Sequence, residues 1–276
     1  MGEIFYTGKG EKAILKQMAK DKKTGKLTII FLVNGKEKVY KNVDPSELKM
    51  LLDRQEEFKK IAKIKGIKKV LEDRKKFINE NGITRLYHYT DINNIESILK
   101  HGILSRNELT GKNIEFTENK TKHNLNGNDI SMSISHINYD ELNRLTNHSR
   151  ETNMIVLVTN TRPLMMLDTE FARSTTSLSR TDKTKDIKVL FDGKREYRGY
   201  QNKLQQLPNY YPTNPNSEAL VKNMISAEDI MDIISLKDLN NIDKKKLNDL
   251  AFDYGMGYYT VNEYEARCDE IGMKWR

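Results

Sequence analysis

Hydrophobic residues in this chain change spacing several times, and each change marks an element. Leu27-Thr28-Ile29-Ile30-Phe31-Leu32-Val33 is a β-branched and aromatic run, followed by Asn34-Gly35 and Lys38-Val39-Tyr40. That order predicts a strand, a tight turn and a hairpin partner. Upstream, Glu11 to Met18 is expected to form a short helix. From Asp44-Pro45, a cap followed by a first-turn proline, the spacing becomes helical. Leu48, Leu51, Leu52, Phe58, Ile61, Ile64, Val70, Leu71 and Phe77 trace one apolar stripe with lysines opposite it. A break is expected near Gly66, and the stretch stops at Asn79-Glu80-Asn81-Gly82, a glycine stop signal.

Beyond Gly82 the elements are short. Strands are expected at 84–89, 114–117, 130–135, 154–159, 187–191 and 218–225, and helices at 91–100, 138–147, 227–232 and 243–251. Ser226-Ala227-Glu228-Asp229 is the capping signal for the third of these helices. Strands and helices mix without a regular βαβ rhythm, so the class is α+β. Residues 195–216, punctuated by Pro208, Pro212 and Pro215, read as a long loop of the kind that binds or covers something. The tyrosine-rich tail from Ile242 to Trp275 reads as a packed closing segment ahead of a base-stacking platform. Two parts follow: an N-terminal hairpin-plus-helix extension, 1–83, and a main domain, 84–276.

Composition adds three constraints. No stretch approaches the roughly 20 apolar residues of a membrane span, and Met1 to Lys20 has no secretory core. Cys268 is the single cysteine, so no internal disulfide or cysteine-based metal site is expected, and a reducing cytoplasm is the expected compartment. His101, His136 and His148 show no metal-ligand spacing, and no metal is assigned. Charge is uneven: residues 1–85 hold 22 Lys and Arg against 12 Asp and Glu, and the rest hold 25 against 27. A basic face of this kind attracts polyanions by releasing counterions, whereas its ordinary role is a solvated helix surface.

Candidate chemistry sits in two places. Tyr87-His88-Tyr89-Thr90 heads a short amphipathic helix, Asp91 to Lys100, that stops at His101-Gly102. Asn216-Ser217-Glu218-Ala219-Leu220-Val221 puts one carboxylate at the mouth of an apolar strand. Histidine and glutamate on adjacent strands suit the gripping of a ribose and the polarising of its anomeric carbon. Tyr87 and Tyr89 are expected to point to opposite faces of the strand, so that only one of them shares His88's neighbourhood closely. In Ile130-Ser131-Met132-Ser133-Ile134-Ser135, apolar residues take one face and hydroxyls the other, with Ser133 and Ser135 as candidates to reach a cofactor.

These motifs resemble the DarT family of nucleic-acid-modifying toxins, with the ADP-ribosyltransferase fold. The resemblance runs over about residues 84 to 236. It takes in Leu86 to Thr90, Asn94-Ile95, Ile98-Leu99, Gly102 to Arg106, Ile130 to Ser135, Asn138-Tyr139, Met154 to Val158, Phe171 to Thr176 and Ser217 to Val221, with Ile230 and Ile233 behind them. It implies a split antiparallel sheet and an NAD-dependent ADP-ribosyltransferase acting on a base of single-stranded DNA, guanine or thymine, or on mRNA. The Ser-Ile-Ser…Asn-Tyr stretch leans toward guanine. A toxin or phage-defence role and a cognate antitoxin are implied as well.

Carried over by residue, the resemblance makes Glu218 catalytic and gives His88 the NAD ribose. Tyr87, Thr90, Asn94 and Ser133 line the cofactor, and Arg173 faces acceptor or phosphate. The family's pyrophosphate-binding arginine is missing from Glu115 to Asp129, which holds Lys120, Lys122 and His123 instead. Either Arg106 serves or a lysine substitutes as a less directional charge. Lys59 and Lys63, on the basic helix, are the substrate-strand candidates. Two rivals remain: an RNA 2′-phosphotransferase, and a non-catalytic nucleic-acid-binding module.

Overall fold

The computed structural model describes residues 4–7, 9–117, 127–138, 153–173, 183–193, 196–198, 204–214, 216–236 and 239–270. It divides into two units, Met1–Asp73 and Arg74–Arg276, and the division falls inside a helix.

In the first unit β1 (Ile4–Tyr6), β2 (Lys12–Lys20), β3 (Leu27–Val33) and β4 (Lys36–Val43) form an antiparallel sheet in chain order. The expected hairpin is there: Asn34 and Gly35 take φ of 51° and 77°, the left-handed pair that a two-residue turn needs. The expected helix over Glu11 to Met18 is not. That segment is β2, paired with β1 through Ala13 and with β3 from Ala13↔Val33 to Lys20↔Leu27. Pairing on both sides overrides local preference, because a strand's fitness is set by its neighbours. The hairpin is thus the second half of a four-stranded meander.

Helix α1 (Pro45–Asp53) starts at the predicted cap, where Asp44 and Glu47 form a capping box. The break comes at Arg54, and α2 (Gln55–Glu80) runs through Gly66 without interruption. Its apolar stripe is buried only in part. Phe58 is in the core, while Ile64 and Val70 are about half exposed at 54% and 48%.

The last turns of α2 belong to the second unit. Arg74 is buried and donates to the carbonyl oxygens of Leu164 (2.6 Å), Met166 (2.8 Å) and Lys185 (3.0 Å). Burial lowers its pKa, and these three acceptors replace its water. Phe77 packs edge-on against Phe191. At the stop, Gly82 takes φ of 66°, its N–H donates to Asn79 and that of Ile83 donates to Ile78, a Schellman closure.

The second unit then runs β5 (Leu86–Asp91), a 3₁₀ turn, α3 (Ile95–His101), β6 (Ile103–Leu104), α4 (Arg106–Gly111), β7 (Asp129–Ile134), β8 (Met154–Thr159), β9 (Glu170–Ala172), β10 (Lys183–Thr184), β11 (Glu196–Arg198), β12 (Leu204–Gln206), β13 (Glu218–Lys222), β14 (Met224–Ile225), β15 (Ile230–Ser235), α5 (Asn241–Asp253), β16 (Gly257–Thr260) and α6 (Val261–Glu270). Eight strands form one sheet in the order β10-β9-β13-β7-β5-β8-β15-β16, antiparallel except for β15 with β16. The architecture is mixed α and β around large sheets.

Several expectations are corrected here. Residues 187–191 form a 3₁₀ turn capped by Asp186, and 114–117 make no strand. The helix at 227–232 is a single 3₁₀ turn. Ile230 then leaves it for β15, a strand paired on both sides. Residues 218–225 are two strands parted at Asn223, φ 62°. The stretch read as a long loop contains the β11–β12 hairpin. The helix expected at 138–147 lies outside the described residues beyond Asn138.

Apolar side chains fill both faces of the large sheet. One cluster gathers Leu86, Met132, Ile134, Leu157 and Ile233 under α3. The other gathers Tyr87, Tyr89, Val156, Val158 and Ile234 under α6. Gly102 ends α3 at φ 83°, and a Cβ there would lie 2.3 Å from the Ile225 carbonyl oxygen. Gly102→Ala is therefore expected to cost more than about 1 kcal/mol, lowering Tm by several degrees at roughly 2–4 °C per kcal/mol. An unchanged melting curve would refute this packing.

Candidate active site

The centre of the site is the place where two strands stop pairing. β5 pairs with β8 along its whole length, Leu86↔Thr159 to Asp91↔Met154. On its other edge it meets β7 only at Leu86↔Ile134 and Tyr87↔Ser133. Beyond that point lies a cavity of about 140 Å³ bordered by His88, Thr90, Asn94, Arg106, Asp129 and Ser131 among others.

Ser131 connects the two motifs. Its carbonyl oxygen is 3.1 Å from His88 Nδ1, and its hydroxyl donates to Glu218 Oε1 at 2.7 Å. Glu218 is 6% exposed and central in its sheet, flanked by Ser133 of β7 and Ala172 of β9. His88 and Glu218 are therefore not on adjacent strands, as expected from sequence; β7 lies between them.

The strands on the Glu218 side are held by a partly exposed ion cluster around the buried Asp129. Asp129 accepts from Lys183 at 2.6 Å and from Lys222, and Lys222 also reaches Glu170 at 2.8 Å. Burial alone would lower the Lys222 pKa, but its hydrogen bonds to Asp129 and Glu170 outweigh that and raise it. Two acids and two lysines on β7, β13, β9 and β10 balance each other, the condition for burying charge. Across the cavity, the Asn94 side chain donates to Thr90 Oγ1 and to the Thr117 carbonyl, both at 3.1 Å, and accepts from the Thr117 N–H at 2.7 Å. That pair of amide-like bonds satisfies the Thr117 backbone without a ladder.

The other predicted residues fall as follows. Arg106 opens α4 behind the Ser105 cap and borders the cavity. Arg173 is exposed at the end of β9, 4.0 Å from Asp192, and its carbonyl accepts from the Ser217 hydroxyl beside Glu218. Ser133 lies abreast of Glu218 but does not border the cavity. Ser135 has left the strand at φ 65°, and its buried hydroxyl has no partner among the described residues. Tyr87 is fully buried, edge-on to Tyr264 at 6.4 Å, and burial pushes its phenol well up.

Tyr87 and Tyr89 are two positions apart, so they share a face and both turn away from His88; the expectation of one beside the histidine fails on that count. Lys59 and Lys63 are exposed on α2 in the first unit, Lys59 beside Glu56 at 2.5 Å. Lys120, Lys122, His123, Tyr139 and Ser174 to Thr176 lie outside the described residues. Among the described residues no group of three His, Cys, Asp or Glu gathers as a metal site, and no helix is long and apolar enough to cross a membrane.

No family model and no curated protein matches this chain. Among solved structures, Thermosipho africanus DarTG in complex with ADP-ribose matches at 15% identity and TM-score 0.44, over 64% of this chain and 49% of its own. Thermus sp. 2.9 DarT in complex with NAD+ matches at 14% and 0.41, over 64% and 94%. The same DarT in complex with ADP-ribosylated ssDNA matches at 12% and 0.42, over 65% and 94%. The chain thus spans about half the length of the DarTG it resembles.

If the Ser131 hydroxyl holds Glu218, Ser131→Ala leaves a buried carboxyl without that donor and costs about 1–3 kcal/mol. Ser131→Thr keeps the hydroxyl and should recover most of it. Chemical denaturation of the three proteins measures this, and equal stabilities would show that the bond contributes nothing.

Proposed function

We propose that the chain is an NAD-dependent ADP-ribosyltransferase that modifies a base of single-stranded nucleic acid. The observation that carries this reading is Ser131, which touches both His88 and Glu218 at the edge of a cavity. DNA is the favoured acceptor, guanine or thymine the base, and a toxin or phage-defence effector with a cognate antitoxin the role. The parting of β5 from β7 supports reading the sheet as the split sheet of ADP-ribosyltransferases, with residues 84–276 as that domain and 1–83 as an extension.

In this reading NAD lies where the ladder stops. His88 binds the ribose hydroxyls, Thr90 and Asn94 shape the wall, and Arg106 takes the pyrophosphate. Glu218, positioned by Ser131, stabilises the electron-poor anomeric carbon as nicotinamide leaves with the bonding electron pair. A base nitrogen then bonds to that carbon and gives its proton to Glu218. The base must be unstacked to reach the cavity, which favours single strands. Arg173, beside Ser217, meets the acceptor strand, and Lys59 and Lys63 supply phosphate contacts from the extension.

Mass spectrometry of DNA and RNA oligonucleotides incubated with protein and NAD tests the reaction. A gain of one ADP-ribose unit is expected. Loss of a phosphate from RNA would select the phosphotransferase, and no change a binding module. Glu218→Gln keeps shape and hydrogen bonding but deletes charge, and should cut transfer by at least about 100-fold at unchanged Tm. Wild-type transfer in that variant would remove Glu218 from catalysis. His88→Ala should weaken NAD binding by about 1–3 kcal/mol in calorimetric titration, and unchanged binding would make His88 structural.

A further inference from the structure

The first unit holds a second cavity, of about 240 Å³, several times what one water fills. Ladder register puts Phe5, Ala13, Val33, Phe31, Ile29 and Tyr40 on one sheet face, and these side chains form its wall, with Leu48, Leu52 and Phe58 from α1 and α2 opposite. The aromatic rings are set edge to face, Phe5 to Phe31 at 5.7 Å and Phe31 to Tyr40 at 6.1 Å. Its mouth is open to solvent at Tyr40 and Leu52, 44% and 43% exposed.

The edge strand that contributes Tyr40 to the cavity also carries two lysines on the same face. Lys36 lies opposite Val33 and Lys38 opposite Phe31, so both sit on the cavity's own face of the edge strand β4. Neither makes an ion pair among the described residues. The unit as a whole has 18 Lys and Arg against 11 Asp and Glu, a net of +7. An aromatic wall beside unpaired lysines suits a planar ring attached to a phosphate, because rings stack without base preference while lysines meet the backbone. A greasy protein side chain would use the rings but has no need of the lysines.

We infer that this cavity holds a nucleobase of the single-stranded acceptor, away from the reacting base, so that the extension grips the strand by stacking as well as by charge. This rests on the proposed function for the identity of the strand, but its test does not need catalysis. Oligonucleotide affinity is measured by fluorescence anisotropy for the full chain, using a normal single strand and an abasic strand of equal length and charge.

Tyr40→Ala is expected to weaken binding of the normal strand about tenfold, within the range of a lost base–aromatic stack, and to leave the abasic strand unaffected. Tyr40→Phe should bind as wild type, and NAD affinity should not change in either variant. Lys36→Glu with Lys38→Glu should weaken both strands. Equal losses on both strands for Tyr40→Ala, or no loss on either, would overturn the inference. ADP-ribose transfer with no Tyr40 effect would sink this inference alone, and a Tyr40-dependent preference for the normal strand without transfer would sink the proposed reaction alone.

Discussion

Everything at the candidate site depends on β7 ceasing to pair with β5 while remaining paired with β13. A strand edge that loses its partner leaves backbone groups that must find others. At Ser131 the carbonyl finds the His88 ring and the side chain finds Glu218. A residue just past the end of the ladder therefore contacts both candidate side chains. Such an opening would loosen the sheet if its far side were weak. There the Asp129, Lys183, Lys222 and Glu170 cluster ties four strands together. Removing a lysine would leave the buried Asp129 carboxylate short of a partner, so the cavity is open on one side and clamped on the other.

The opposite face is closed by α6. Arg85, nearly buried, donates to the Tyr264 hydroxyl and lies over its ring at 5.4 Å, with Asp232 at 4.0 Å and Cys268 at 3.8 Å. Burial pushes the Tyr264 phenol up to about 12 and raises the Asp232 carboxyl, a shift that Arg85 and Arg267 oppose. Tyr87 joins this group edge-on. The tyrosines of the C-terminal segment divide accordingly: Tyr264 is a core residue, whereas Tyr254 is half exposed.

How much of this could be read from sequence depends on whether a feature is local. The Asp44 cap, the Asn34-Gly35 turn, the Gly82 stop and the strand at 154–159 are set by a few adjacent residues, and they stand in the structure. Glu11 to Met18 failed because ladder pairing with its neighbours β1 and β3 in the meander outweighs the segment's own helical spacing. Ser226 does cap, but nothing in its composition says that one turn follows instead of two. Ser131 and Ser133 alternate identically, and although the register sets Ser133 abreast of Glu218, it is the Ser131 hydroxyl that reaches the carboxylate. Asp129 carried no signal at all, since its two lysines lie 54 and 93 residues downstream.

Charge completes the division between the two units. In the second, the buried charges are used up internally: Asp129 and Glu170 against two lysines, Arg85 near Asp232, and Arg74 among three carbonyls. Charge neutralised at short range projects little field beyond the Debye length of about 8 Å in physiological salt. In the first unit the lysines are mostly exposed, and along the middle of α2 only Ile61, Ala62, Ile67 and Leu71 are partly covered. Under the proposed function, attraction of a polyanion falls to surfaces that tolerate substitution, while the positioning of Glu218 rests on the Ser131 hydroxyl in the sheet interior. In that reading strand affinity changes through surface lysines and the aromatic cavity without disturbing the geometry at Ser131.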